Sequence, residues 1–136
     1  MPTIRVAIAG ATGYTGEELL RLLLRHPHVQ LTCLAASAKR DRPVLASDVF
    51  PRLTPPRGLT VEALDLAALT GRSDAVFLAL PHGTAMTIAP ALLAARKRVI
   101  DLSGDFRLND PALYPQWYHL PHAHPGCLRM PAWCTA

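Results

Sequence analysis

The apolar positions of this chain fall into short, nearly continuous runs: Ile4–Ala9, Val29–Ala36, Leu59–Glu62, Asp74–Leu80 and Arg98–Ser103. Runs of this length, rich in Val, Ile and Leu and without strict alternation, suit strands buried on both faces, so the pattern predicts five parallel strands. Between the first two, Leu19, Leu20, Leu23 and Leu24 share one face of a helix that Pro27 ends. Glu17 and Glu18 near its start and Arg21, Arg25 and His26 near its end match the helix dipole. A helical turn or two is predicted near Leu64 to Leu69. Thr84 to Ala95 is helical in composition, with Pro90 either kinking the helix or opening a second short one. From Asp41 to Gly58 the chain carries Pro43, Pro51, Pro55 and Pro56 and keeps neither period, which predicts a long surface loop. Strands alternating with helices predict an α/β, doubly wound parallel sheet with right-handed crossovers.

With 136 residues the chain is one domain of ordinary size. Half of it is hydrophobic and 18% is charged, which excludes disorder as the resting state. No apolar run reaches the length of a membrane span, and Met1-Pro2-Thr3 leads directly into the first strand, so a cytoplasmic protein is expected. Cys33, Cys127 and Cys134 imply no disulfide framework, and Cys33 reads as a small buried apolar residue. A net charge of +4 favours anionic partners. The basic residues are not interleaved with aromatics as in a single-strand binder, so nucleic acid is not expected as a partner.

The candidate chemistry begins where the first strand ends, at Gly10-Ala11-Thr12-Gly13-Tyr14-Thr15-Gly16. Three glycines spaced three apart let the backbone turn sharply, and the first helical N–H groups then face an anion such as a dinucleotide pyrophosphate. The same glycines also suit a tight strand-to-helix turn with close helix packing and no ligand. At the tip of the second strand, where an NAD site has Asp or Glu for the ribose 2′-hydroxyl, this chain has Ser37, Lys39 and Arg40. A hydroxyl and two cations suit a 2′-phosphate, so NADP is expected over NAD; the alternative is a solvated basic loop, with Asp41 beside it. The fourth strand should end in Pro81-His82-Gly83 beside the glycine turn. His119, His122, His124 and Cys127 follow no common zinc spacing and read as loop residues, so no metal is expected.

Several motifs taken in order resemble N-acetyl-gamma-glutamyl-phosphate reductase: Gly10 to Leu20, Val49-Phe50-Pro51, Phe77 to Gly83, Ile100 to Leu108, and Trp117-Tyr118. The likeness runs over about residues 3 to 125. It implies a Rossmann-type sheet and NADPH-dependent reduction of N-acetyl-glutamyl 5-phosphate to its semialdehyde in arginine biosynthesis. In that chemistry a cysteine thiolate attacks the acyl phosphate, hydride reduces the thioester and a histidine shuttles protons. On the matched positions, the turn Gly10, Thr12, Gly13, Tyr14, Thr15, Gly16 would hold the pyrophosphate. Pro81, His82 and Gly83 would border the nicotinamide, although His82 also reads as a turn or capping residue. Ser103 and Arg107 would take the small-molecule acyl phosphate, Arg107 because a planar guanidinium suits bidentate phosphate binding. The alternative for Arg107 is an ion pair with Asp101 or Asp105. The family also implies a homo-oligomer. Two further readings are a stand-alone NADP-binding module and the related reductase of carrier-linked aminoadipyl phosphate in lysine biosynthesis.

The resemblance implies a second domain, a nucleophilic cysteine in an Asn-Pro-Gly-Cys context and a catalytic histidine, all beyond the matched region, so the sheet is expected to be incomplete on its C-terminal side and the chain inactive alone. His124-Pro125-Gly126-Cys127-Leu128 imitates the cysteine motif, but Leu128 stands where the family has an aromatic residue, which leaves Cys127 a poor nucleophile candidate. Codons for Gly126 to Ala136, read two bases later, fix an Ala across Met130-Pro131 and a Val across Trp133-Cys134. They permit a continuation resembling the family's run into Val-Tyr-Gly. The expected organisation is therefore an NADP-binding domain over residues 1–125 and a frameshifted, irregular tail over 126–136.

Overall fold

The computed structural model describes residues 2–37, 39–129 and 134–135. In chain order the elements are β1 (Ile4–Ala9), α1 (Tyr14–Leu23), β2 (Val29–Ala35), β3 (Val44–Leu45), α2 (Ala46–Val49), β4 (Thr60–Glu62), α3 (Leu66–Arg72) and β5 (Ala75–Leu78). They continue with α4 (Ala85–Ala94), β6 (Arg98–Asp101), α5 (Tyr114–Tyr118) and β7 (Cys134–Thr135), with 3₁₀ turns at Pro111–Leu113 and Pro125–Arg129. The strands form one sheet in the order β3-β4-β2-β1-β5-β6-β7. Every pairing is parallel except β3 with β4. Without the antiparallel edge strand this is the doubly wound order, in which the chain leaves the first strand in one direction and returns to its other side through β5. The switch point therefore lies between β1 and β5, where the glycine turn begins.

Strand alternation places a core on each face. Val6 and Ile8 of β1 pack with Leu20 of α1, Leu34 and Phe50. Ala7 and Ala9 point the other way, to Val76, Leu78 and the α4 residues Ala89 and Leu92. Both faces of β1 are buried, which is why its sequence is apolar without a break. No helix of the described residues is long and apolar enough to cross a membrane.

The structure adds to the sequence expectations, or departs from them, in four places. Residues 41–58 are not structureless, because Val44 and Leu45 pair with Val61 and Thr60, and Ala46 N–H donates to the Leu59 carbonyl at 2.8 Å. Phe50 is then buried in the core, and it is the burial of Ala46 and Phe50 that holds this segment against the sheet. Helix α1 starts at Tyr14, directly after Gly13, and ends at Leu23. Helix α4 runs through Pro90 as a single element; the proline removes only the amide that would have met Met86, while Ala89 and Leu92 keep the helix on the sheet. In the tail, expected to be irregular from Gly126, Pro125–Arg129 is a 3₁₀ turn and Cys134–Thr135 pairs in parallel with Ile100–Asp101. The open edge of β6 offers amides and carbonyls that a strand can meet. Residues 130–133 and 136 lie outside the described residues.

At the end of the sheet remote from the glycine turn, Arg5 clamps Asp74. Arg5 N–H donates to Asp74 Oδ2 at 3.0 Å, and its guanidinium donates to Oδ2 at 3.2 Å and Oδ1 at 2.7 Å. These bonds favour the carboxylate and hold the Asp74 pKa down from 3.8 to about 2. Because the folded-state value is depressed, the clamp contributes stability above the ordinary carboxylate pKa and loses it as the pH falls toward 2. Titration of the Asp74 side-chain carbon by NMR is expected to show a midpoint near 2, moving back toward the ordinary range in Arg5→Gln. An unchanged midpoint in that variant would contradict the clamp.

Candidate functional site

The turn after β1 is built by backbone approaching backbone. Gly10 has φ +89°, and a Cβ on it would lie 2.1 Å from the Ala79 carbonyl oxygen at the end of β5. A Cβ on Gly16 would lie 2.1 Å from the Gly10 carbonyl oxygen and 2.7 Å from Ala11 Cα. Gly13 differs: φ is −80°, and a Cβ there would meet only Gly10 O at 3.6 Å and Ser37 Oγ at 4.0 Å. Two of the three glycines are thus demanded by packing, and the third has room for a methyl group at ordinary contact distance. The first intrahelical bond of α1 runs from Glu17 N–H to the Gly13 carbonyl, 2.9 Å. The amides of Tyr14, Thr15 and Gly16 precede it and lie at the positive end of the helix. Tyr14 itself is 98% exposed.

Thr12 ties this turn to the tip of β2. Its Oγ1 accepts the Ser37 N–H at 3.0 Å and shares a hydrogen bond with Ser37 Oγ at 2.7 Å. The two hydroxyls use one proton on each other, so the second remains available to an anion. Just beyond lie Lys39, exposed, and Arg40, half-buried. Neither side chain makes a hydrogen bond or ion pair within the described residues. The structure thus brings the turn and the basic tip together.

On the other side of the switch point, Pro81-His82-Gly83 leaves β5. Gly83 has φ +90°, a conformation that favours glycine. His82 is 56% exposed along its side chain. Its Nδ1 accepts the Gly104 N–H at 3.3 Å, and the ring lies against Tyr118 with centroids 5.0 Å apart. The loop after β6 adds Ser103 and Arg107. Ser103 Oγ donates to Asp101 Oδ2 at 2.9 Å, so its only proton is directed inward and a substrate would have to compete for it. Asp101 is buried, and desolvation raises its pKa despite the two Ser103 bonds. Arg107 is exposed and forms no ion pair with Asp101 or Asp105 within the described residues.

Two buried residues here were invisible to sequence reasoning. Asp105, 2% exposed, accepts Gly83 N–H at 2.8 and 3.0 Å and Met86 N–H at 2.9 Å. His122, read from the sequence as a loop residue, is buried: Nε2 meets the Asp105 carbonyl oxygen at 2.7 Å and Nδ1 accepts the His124 N–H at 3.1 Å. Its ring packs on Phe106 and Tyr114. No sequence signal marked Asp105 as the cap of α4, whose own N-cap Thr84 makes no side-chain capping bond. Cys127 sits half-buried in the 3₁₀ turn against the α4-side core. Among the described residues no three His, Cys, Asp or Glu side chains form a metal-binding group.

A helix N-terminus over a glycine turn at a switch point, joined to a basic strand tip, defines a dinucleotide-binding site of the doubly wound class. In accord with that, residues 5–128 match the family model described as semialdehyde dehydrogenase, NAD binding domain, and the chain belongs to this family of nicotinamide-dinucleotide-binding domains. Its sequence is similar to N-acetyl-gamma-glutamyl-phosphate reductases. It is 50% identical over 125 residues to that of Nitrosococcus oceani, which covers 92% of this chain and 36% of the relative. It is 51% identical over 115 residues to that of Desulfotalea psychrophila, covering 85% and 33%. The chain thus spans about a third of the length of these curated relatives. Among solved structures, aspartate semialdehyde dehydrogenase with NADP from Candida albicans shares the fold with a TM-score of 0.59 at 20% identity, over 80% of this chain and 32% of that one.

Packing and ligand roles of the glycines separate in a melting experiment. Alanine at position 16 would gain about 1 kcal/mol of helix propensity, but the backbone contact outweighs it. Gly16→Ala is expected to lose about 3 kcal/mol or more, and Gly10→Ala to behave alike. Gly13→Ala should stay within about 0.5 kcal/mol of the parent. Equal losses at positions 13 and 16 in denaturant titrations would contradict the assignment.

Proposed function

We propose that residues 1–125 are the NADP(H)-binding part of a reductase that converts N-acetyl-glutamyl 5-phosphate to N-acetyl-glutamate 5-semialdehyde. The observation that carries this reading is 50% identity to a reductase of that name over nearly the whole chain. The site geometry supports it. The amides of Tyr14, Thr15 and Gly16 bind the pyrophosphate, with Gly13 leaving room for its approach. Thr12 and Ser37 offer a hydroxyl proton, and Lys39 and Arg40 two cations, to the ribose 2′-phosphate. Pro81, His82 and Gly83 border the nicotinamide, whose reduced form supplies hydride when bound.

Arg107, whose guanidinium makes no hydrogen bond or ion pair within the described residues, grips the acyl phosphate, while Ser103 lines the same loop. No step is given to Cys127, which sits half-buried in a 3₁₀ turn packed against the core. The chain's own part is to bind and orient, and it is expected to show no turnover by itself.

Fluorescence titration tests this reading. NADPH is expected to bind at least about tenfold more tightly than NADH, and Lys39→Ala with Arg40→Ala should remove the difference while leaving NADH binding as it was. Equal affinity of the unaltered chain for the two cofactors would refute the NADP assignment. Phosphate-dependent oxidation of the semialdehyde by this chain alone would overturn the binding-only role and reinstate Cys127.

A further inference from the structure

Helix α4 begins without a cap of its own. Thr84 stands at its N-cap in helical conformation and makes no side-chain capping bond. The missing acceptor comes from another strand's loop: the Asp105 carboxylate binds Gly83 N–H with both oxygens and Met86 N–H with Oδ2. Asp105 is itself held on both sides, its N–H donating to Ser103 Oγ at 3.1 Å and its carbonyl bonded to His122 Nε2 at 2.7 Å. The residue before it, Gly104, donates its N–H to His82 Nδ1 at 3.3 Å. Two consecutive residues of the β6 loop therefore grip both the His82 ring and the peptide that follows it.

We propose that Asp105 is a positioning residue: its buried carboxylate fixes the Pro81–Gly83 loop, and with it His82, in the place where the nicotinamide end of the cofactor is received. The proposal rests on the cofactor reading above and adds a residue to it. Gly83 at φ +90° has many other conformations open to it, so an ionic acceptor is what selects this one. An amide at position 105 can keep its oxygen at the Oδ2 place, which both N–H groups share, but it then sets an NH₂ against the Gly83 N–H where Oδ1 accepts at 2.8 Å, donor facing donor. The fault would then fall on the β5–α4 loop and spare the Thr12–Ser37 side of the cleft.

Two ligands that differ only in the nicotinamide separate this from a general loss of structure. With the 136-residue chain and its Asp105→Asn variant, NADPH and 2′-phospho-ADP-ribose are titrated calorimetrically. The expected result is a loss of about tenfold for NADPH and unchanged binding of 2′-phospho-ADP-ribose. Unchanged binding of both by the variant overturns the proposal, and so does an equal loss of both, which would make Asp105 part of the scaffold only. Failure of the unaltered chain to bind either ligand would refute the cofactor reading itself. Hydrogen exchange on the unaltered chain decides the matter if the variant does not fold. Slow exchange at Gly83 and Met86, deepened at Gly83 by NADPH but not by 2′-phospho-ADP-ribose, supports positioning. Exchange at Gly83 indifferent to the nicotinamide overturns it.

Discussion

Main chain touching main chain around Gly10 is the constraint from which the rest of the site follows. The Gly10 carbonyl lies where a Gly16 side chain would be, and the Ala79 carbonyl lies where a Gly10 side chain would be. Three elements, β1, α1 and β5, are thereby brought to one point. Without that approach the N-terminus of α1 could not open over the end of the sheet, and its first amides would not converge at the switch point. The close contact also explains the amphipathic form of α1: Leu20 is carried down onto Ile8 and Leu34, while Tyr14 and Thr15 remain at the rim.

The two halves of the cleft are held in different ways. On the β2 side the parts are joined by Thr12 and Ser37, hydroxyls that reach across a short gap between neighbouring strand ends. On the β5 side the joining is done by a buried carboxylate from the β6 loop and by the segment behind it. Tyr114 binds Leu108 through both its N–H and its carbonyl, Tyr118 covers Gly104, and His122 closes on Asp105. One side is hydroxyl and cation, the other a buried anion roofed by aromatic rings. Burial strengthens the polar bonds beneath it and raises the penalty for leaving any donor there unpaired.

Much of this was legible in the sequence because the responsible forces act locally. The apolar runs of β1, β2, β4, β5 and β6 announce burial on both faces, and the glycine spacing announces a turn that side chains would block. What escaped was long-range. Phe50 looks like a loop residue until Ala46 meets Leu59, and the pairing of Val44 with Val61 spans most of a proline-rich stretch with no period of its own. Pro90 reads as a break, yet the apolar residues around it hold α4 together as one helix on the sheet. Asp105 and His122 lie 17 residues apart, and their bond is decided by the path of α5 rather than by either neighbourhood. Sequence pattern sees periods and punctuation, and a carboxylate that caps a helix from another strand has neither.

The same distinction sorts the residues by what holds their identity in place. Gly10 and Gly16 have no space left for a side chain, so folding alone accounts for them. The side chains of Lys39, Arg40 and Arg107 form no hydrogen bond or ion pair within the described residues, and Gly13 has room for a methyl group. Cations at strand ends that form no ion pair add little to the fold. On the proposed cofactor reading, an anionic ligand completes their arrangement. On that reading these positions answer to the ligand and not to the core, and substitutions there would change which nucleotide is held while leaving the sheet as it is.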